Sequence, residues 1–155
     1  MQMPTPITRD IVLVGGGHTH ALVLRMWGMS PLPGVRLTLI NPGPTAAYSG
    51  MLPGHIAGHY DRATLEMDLV RLARFARARL ILSRATGIDR DKRRVMVEGQ
   101  AALAYDLLSI DIGVTSDMQT LPGFAQHAVP AKPLDGFADR WQVFVEKVRA
   151  GALPA

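Results

Sequence analysis

IVLVGGGHTHALVL, Ile11 to Leu24, decides the fold. Ile11, Val12, Leu13 and Val14 run into Gly15, Gly16 and Gly17, and His18 and His20 then open a second apolar stretch. A short, wholly apolar run rich in β-branched residues is the profile of a strand buried on both faces. The glycines must turn the chain. Beyond them Ala21, Leu22, Val23, Leu24 and Met26 fit a buried helix from His18 to about Met29, which SPLPG, residues 30–34, stops. VRLTLI, residues 35–40, then alternates as a second strand should. The stretch is a β-turn-α-β unit, with parallel strands and a right-handed connection.

A glycine turn between strand and helix raises the question of a phosphate. The dinucleotide fingerprint is G-x-G-x-x-G: the first glycine makes the turn, the second lets the backbone approach a pyrophosphate, and the third permits close packing of helix on strand. Gly15 and Gly17 fill the first two places. A side chain at Gly17 would therefore strike the pyrophosphate. The third place is His20, a departure. An imidazole needs room, so the helix should ride higher or turn the ring outward, with Ala21 supplying the small contact. The end of the second strand, where the fingerprint has an acid for the ribose hydroxyls, carries Asn41, which can hydrogen-bond but has no charge. The alternative is a glycine turn in an α/β fold that binds nothing there.

Downstream, NPGPTAAYSGMLPGH, residues 41–55, is a long Gly- and Pro-rich loop of the kind that carries function, with a short helix expected in 51–60. DLVRLARFARA, residues 68–78, is an amphipathic helix. Leu69, Leu72, Ala73 and Ala76 form its apolar face, and Arg71, Arg74 and Arg77 its wet one. RLIL (79–82), ATGID (85–89), RRVMVEG (93–99) and AALAY (101–105) read as an antiparallel meander. DLLSIDIG, residues 106–113, is a further buried strand ending on a glycine. At its end Asp111 is either a ligand contact or a cap for the next turn. After a proline-rich connector, a last helix near 136–149 presents Phe137, Trp141, Phe144 and Val148, read as core rather than as a docking surface.

Composition narrows the field. The 155 residues suit one domain with a real core. With no cysteine, disulfides, thiolate metal sites and a redox cysteine pair in this chain are ruled out. The net charge of +4 arises largely between Arg71 and Arg94, and 6% aromatics is too few for base-stacking platforms, so nucleic acid is not the expected partner. No apolar run reaches the ~18 residues that span a bilayer, and the first residues lack a signal-peptide profile. The expected location is the cytoplasm.

Five stretches taken together, VLVGGGHTHALVL (12–24), PGVRLTLINP (33–42), YSGMLPGHIAGHY (48–60), DLVRLARFARARLI (68–81) and YDLLSIDIG (105–113), resemble the pyridine nucleotide-disulfide oxidoreductase superfamily. Within it they look most like the FAD-containing NADH dehydrogenase-like proteins, some of which are fused to selenide, water dikinase. The resemblance spans nearly the whole chain, and the pair YSGMLPG with YDLLSIDIG carries most of its specificity.

It implies an α/β, Rossmann-like FAD/NAD(P)-binding domain in three layers. A central parallel sheet with helices carries a small antiparallel β-meander on one side. It implies that the FAD pyrophosphate lies at Gly15, Gly17, His18 and Thr19, and the adenosine ribose by Asn41. The loop at Tyr48 to Pro53, with Ser49, Gly50, Met51 and Leu52, would approach the flavin. Ala85 and Thr86 would lie near the adenine, and Gly113 would pass close to the cofactor. The histidine form of the turn is ordinary for this subgroup. The implied organisation is a lead-in at 1–9, the N-terminal part of the FAD-binding domain at 10–116, and a connector and helix at 117–155 leading to an NAD(P)H-binding domain beyond the chain. The parent would pass hydride from NAD(P)H to FAD and then to a small-molecule acceptor, with the flavin doing that chemistry. The chain alone is expected to be an inactive N-terminal portion, with apolar surface open to self-association.

Four other readings are weighed against this one. His18 and His20 with His55 and His59, the latter two four apart and so on one face of a helix, are residues of the kind that ligate zinc, but no H-E-x-x-H motif accompanies them. No metal is expected. A non-catalytic dinucleotide-binding or protein-interaction module is a second. A plain NAD(P) domain is a third, disfavoured by Asn41 and by the meander. Ser49 is not in a G-x-S-x-G elbow, so nucleophilic serine chemistry has no support.

Overall fold

The computed structural model describes residues 6–113, 118, 120–132 and 134–151. They fall into two compact units, the described residues up to Ala46 with Met67–Ile112, and Ala47–Glu66 with the described residues from Gly113 onward.

The first unit holds the glycine turn. Strand β1 (Arg9–Val14) leads through the glycines to α1 (His18–Met29) and back along β2 (Val35–Asn41). β1 and β2 are parallel, in register from Arg9 opposite Val35 to Val14 opposite Ile40. The chain passes through two short strands, β3 (Thr45–Ala47) and β4 (Glu66–Asp68), which pair as a ribbon. Past α2 (Leu52–Ile56), which belongs to the second unit, helix α3 (Leu69–Phe75) follows. Asp68 caps α3, its side chain accepting from the Arg71 N–H at 2.8 Å. Leu69, Ala73 and Ala76 are buried and the three arginines exposed, as the helical pattern requires.

Strand β5 (Arg79–Leu82) corrects an expectation. It does not open the meander. It pairs parallel with β2, Thr38 opposite Arg79 and Ile40 opposite Ile81. The reason is the helix before it: α3 carries the chain back across the sheet, so the next strand runs in the same direction. The meander is β6 (Ala85–Asp89), β7 (Arg94–Val97) and β8 (Leu103–Ala104), all antiparallel. β9 (Leu107–Ile110) then returns to pair parallel with β1, giving a sheet of order β5-β2-β1-β9.

Period-2 alternation sorts the sheet's side chains to two faces. Leu13, Leu37 and Leu39 meet Leu24 of α1 and Leu69 and Ala76 beside them on the helical face. Val12, Val14, Ile40 and Ile81 meet Val95 and Val97 of the meander on the other. The unit is therefore three-layered, with β1 and β2 covered on both sides; β9, expected to be buried, lies at the sheet edge with Leu107 and Ile110 each 53% exposed. One part of α1 departs from expectation. Only His20, Ala21 and Leu24 are buried, while Leu22 and Met26 are 51% and 65% exposed. A run apolar all round cannot turn every side chain to one sheet.

In the second unit a tight turn at Ser49–Met51 runs into α2 (Leu52–Ile56), and another at Ala63–Leu65 follows. Asp61 accepts from the Thr64 hydroxyl and, at 2.8 Å, from its N–H. These bonds hold its carboxyl below the usual carboxylate range. The unit closes with α4 (Phe124–His127) and α5 (Leu134–Arg149). Trp141 and Phe144 of α5 stack at 5.6 Å between ring centroids. Phe144 and Val148 are not the core expected of them, 46% and 49% exposed, whereas Trp141 is half-buried; among the described residues of that helix Ala138 is the buried one. Among the described residues no helix is long and apolar enough to cross a membrane.

Candidate functional site

The carboxyl ends of β1, β2 and β9 meet at the glycine turn. Gly15 turns the chain with φ +90°, a left-handed conformation that glycine adopts without strain. Its N–H donates to the Ile40 carbonyl at 2.9 Å, and the Gly17 N–H to the Asp111 carbonyl at 3.3 Å. The Gly16 N–H donates to Asn41 Oδ1 at 2.8 Å, and Asn41 Nδ2 donates to the Gly43 carbonyl at 2.8 Å. Asn41, 9% exposed, thus stitches the turn to the loop after β2. An aspartate in its place would have an acceptor for Gly16 but no donor for Gly43.

His20 holds the other side. The ring is not turned outward; it is buried at 1% exposed. Nδ1 lies 2.6 Å from the Gly15 carbonyl and Nε2 2.8 Å from Ser109 Oγ on β9. A carbonyl only accepts, so Nδ1 carries a proton, and in the neutral ring Nε2 accepts a hydrogen bond from the Ser109 hydroxyl. The ring faces inward because both nitrogens find partners there, and a buried polar group without partners would cost stability. The third place of the fingerprint is therefore filled by a cross-strand clamp instead of by empty space.

Asp111 sits just past β9. Its N–H donates to the Val14 carbonyl at 2.8 Å, and its Oδ2 accepts from the His20 N–H at 3.0 Å. Gly17 precedes the helix without a capping side chain, and the first turn of α1 has no acid. Asp111 supplies the missing cap from a distant strand. It also accounts for the glycines. A Cβ on Gly17 would overlap the Asp111 carboxylate, and one on Gly15 the Asp111 carbonyl. The close approach at Gly17 is to this side chain.

The remaining expected residues are distributed. His18 and Thr19 are the exposed residues of the first turn of α1. Ala85, the first residue of β6, packs against the core of the first unit, and Thr86 is exposed. Ser83, two residues before Ala85, donates its N–H to the Asn41 carbonyl at 3.1 Å. Ser49, Gly50, Met51 and Leu52 belong to the second unit, the first two exposed and the others half-buried. Gly113 is exposed in open space.

His55 and His59 do not share one helix face. α2 ends at Ile56, so His59 lies outside it, and His55 Nδ1 donates to the Tyr60 carbonyl at 2.9 Å. Among the described residues no group of His, Asp and Glu is disposed for a metal ion. Sequence reasoning passed over Gly16, Ser109 and the inward role of His20. A lone serine in the apolar run LLSI was the available signal.

No family sequence model and no curated protein matches the chain by sequence. Solved structures do match. Sulfide:quinone oxidoreductase of Aquifex aeolicus aligns with TM-score 0.73 and 19% identity over 92% of this chain and 33% of that one. NDH2 of Plasmodium falciparum, solved with NADH, gives 0.69 and 16% over 94% and 30%. CoADR-RHD of Bacillus anthracis gives 0.70 and 19% over 92% and 27%. The chain spans about a third of the length of these structures. At such identities the likeness is one of fold alone.

Proposed function

We propose that the chain is the FAD-binding portion of an NAD(P)H-dependent flavin oxidoreductase. The observation that carries the reading is the turn itself: a parallel strand-glycine-helix-strand unit whose first helical turn leaves His18 and Thr19 exposed at the sheet's carboxyl end. Ligands of open α/β sheets bind at that end, with phosphate at the helix start. Oxidoreductase structures of the same fold, one of them solved with NADH, support it. The donors at this end suit a dinucleotide, with the Asp111 carboxylate beside them. His18 and Thr19 would hold the pyrophosphate through their backbone N–H groups. Asn41 would shape the turn and border the ribose, and Ala85 and Thr86 would border the adenine. The flavin, when bound, would supply hydride chemistry between NAD(P)H and a small-molecule acceptor. The chain's own part is to bind and orient it.

The test is a titration of the purified chain with FAD, followed by visible absorbance. A shifted, structured flavin band that saturates supports the reading. A spectrum that stays that of free flavin at millimolar chain overturns it.

A further inference from the structure

The glycine turn already holds a negative charge. Asp111 is pinned by its backbone on both sides, through Val14 and Gly17, and its carboxylate lies against Gly17 and bonds the His20 N–H at 3.0 Å. It stands at the positive end of the α1 dipole, on a helix with no acid in its own first turn. A carboxylate there does for the helix what a bound phosphate does.

We propose that Asp111 is an internal anion in the phosphate seat. It completes α1 when no ligand is bound, and it sets the affinity of the turn for phosphate-bearing ligands by opposing them. A diphosphate entering at His18 and Thr19 gains the helix dipole only against a charge that the dipole already stabilises. Asp111 is thus an affinity-limiting residue of the turn, and Gly17 is glycine to let it in. The inference rests on the flavin reading of the same site.

Asp111→Asn separates charge from shape. Asparagine keeps an acceptor for the His20 N–H and removes the negative charge. Wild type, Asp111→Asn and Asp111→Ser, neutral and still able to cap, are titrated with ADP and with FAD by calorimetry at low and high salt. Both variants are expected to bind both ligands at least ten-fold more tightly, about 1.4 kcal/mol. The gap to wild type should narrow as salt screens the charge. A merely structural Asp111 would give weaker binding in the variants. If wild type binds FAD and both variants bind it equally or more weakly, Asp111 is a helix cap only: the proposal falls and the flavin reading stands. If neither wild type nor either variant binds ADP or FAD, the flavin reading falls and takes the proposal with it.

Discussion

At the carboxyl ends of the parallel strands Asn41, His20, Ser109 and Asp111 interlock around the glycine turn, with His20 and Asn41 buried. At the amino ends of the same strands Asp10 and Arg36 pair side by side across the register, Nε to Oδ1 at 2.6 Å and Nη2 to Oδ2 at 3.0 Å. With Thr38 and Arg79 they edge a cavity of about 290 Å³ against the segment 100–104. The Arg36 side chain is 48% exposed and that of Asp10 26%. The hydrogen bond and charge of Asp10 push the guanidinium further up from its ordinary value, yet water and salt share the pair. Polar residues of similar kinds close both ends of one sheet. Burial decides which set holds the fold: an exposed ion pair adds little, whereas a buried polar group must keep its partners.

Substitutions at the two ends test that contrast. Gly17→Val places a branched side chain on the Asp111 carboxylate and is expected to cost about 3 kcal/mol, read from the urea midpoint. Made in an Asp111→Gly background, the same change should cost about 1 kcal/mol or less. An unchanged cost there means Gly17 answers to another neighbour.

His20→Gly would restore the dinucleotide fingerprint, and it should still destabilise by about 2–3 kcal/mol. It strands the Gly15 carbonyl and the Ser109 hydroxyl and adds a helical glycine. A stabilised variant would show that the clamp is dispensable.

Asn41→Asp, the acid of the NAD fingerprint, should lose about 1–2 kcal/mol, because the Gly43 carbonyl would then face a carboxylate in place of an N–H. Denaturation at neutral pH measures it, and a gain in stability refutes this account. At the opposite end, Arg36→Ala should cost less than about 1 kcal/mol, and less again in high salt. A larger loss there would erase the difference between the two ends.

Much of the fold was legible because it rests on periodicity. The apolar run before Gly15, the alternation of VRLTLI and the arginine stripe on α3 each carry their structure locally. The direction of β5 was not legible. A four-residue apolar strand has no label for the partner it will join, and only the crossover through α3 sets it. The exposure of Phe144 was hidden for a related reason: an aromatic on an amphipathic helix is buried only if something packs on it.

At the candidate site the division is sharper. The residues alone determined that the chain turns on glycine between a buried strand and a helix, and that His20 and Asn41 depart from the common pattern. Tertiary structure decided what those departures are. His20 meets Ser109 across 89 positions of sequence, and its amide meets Asp111 across 91. Propensity and period act over a few residues. Hydrogen bonds between groups so far apart exist only once β9 has docked beside β1, so the meaning of the turn is settled by the strand that arrives last in the sheet.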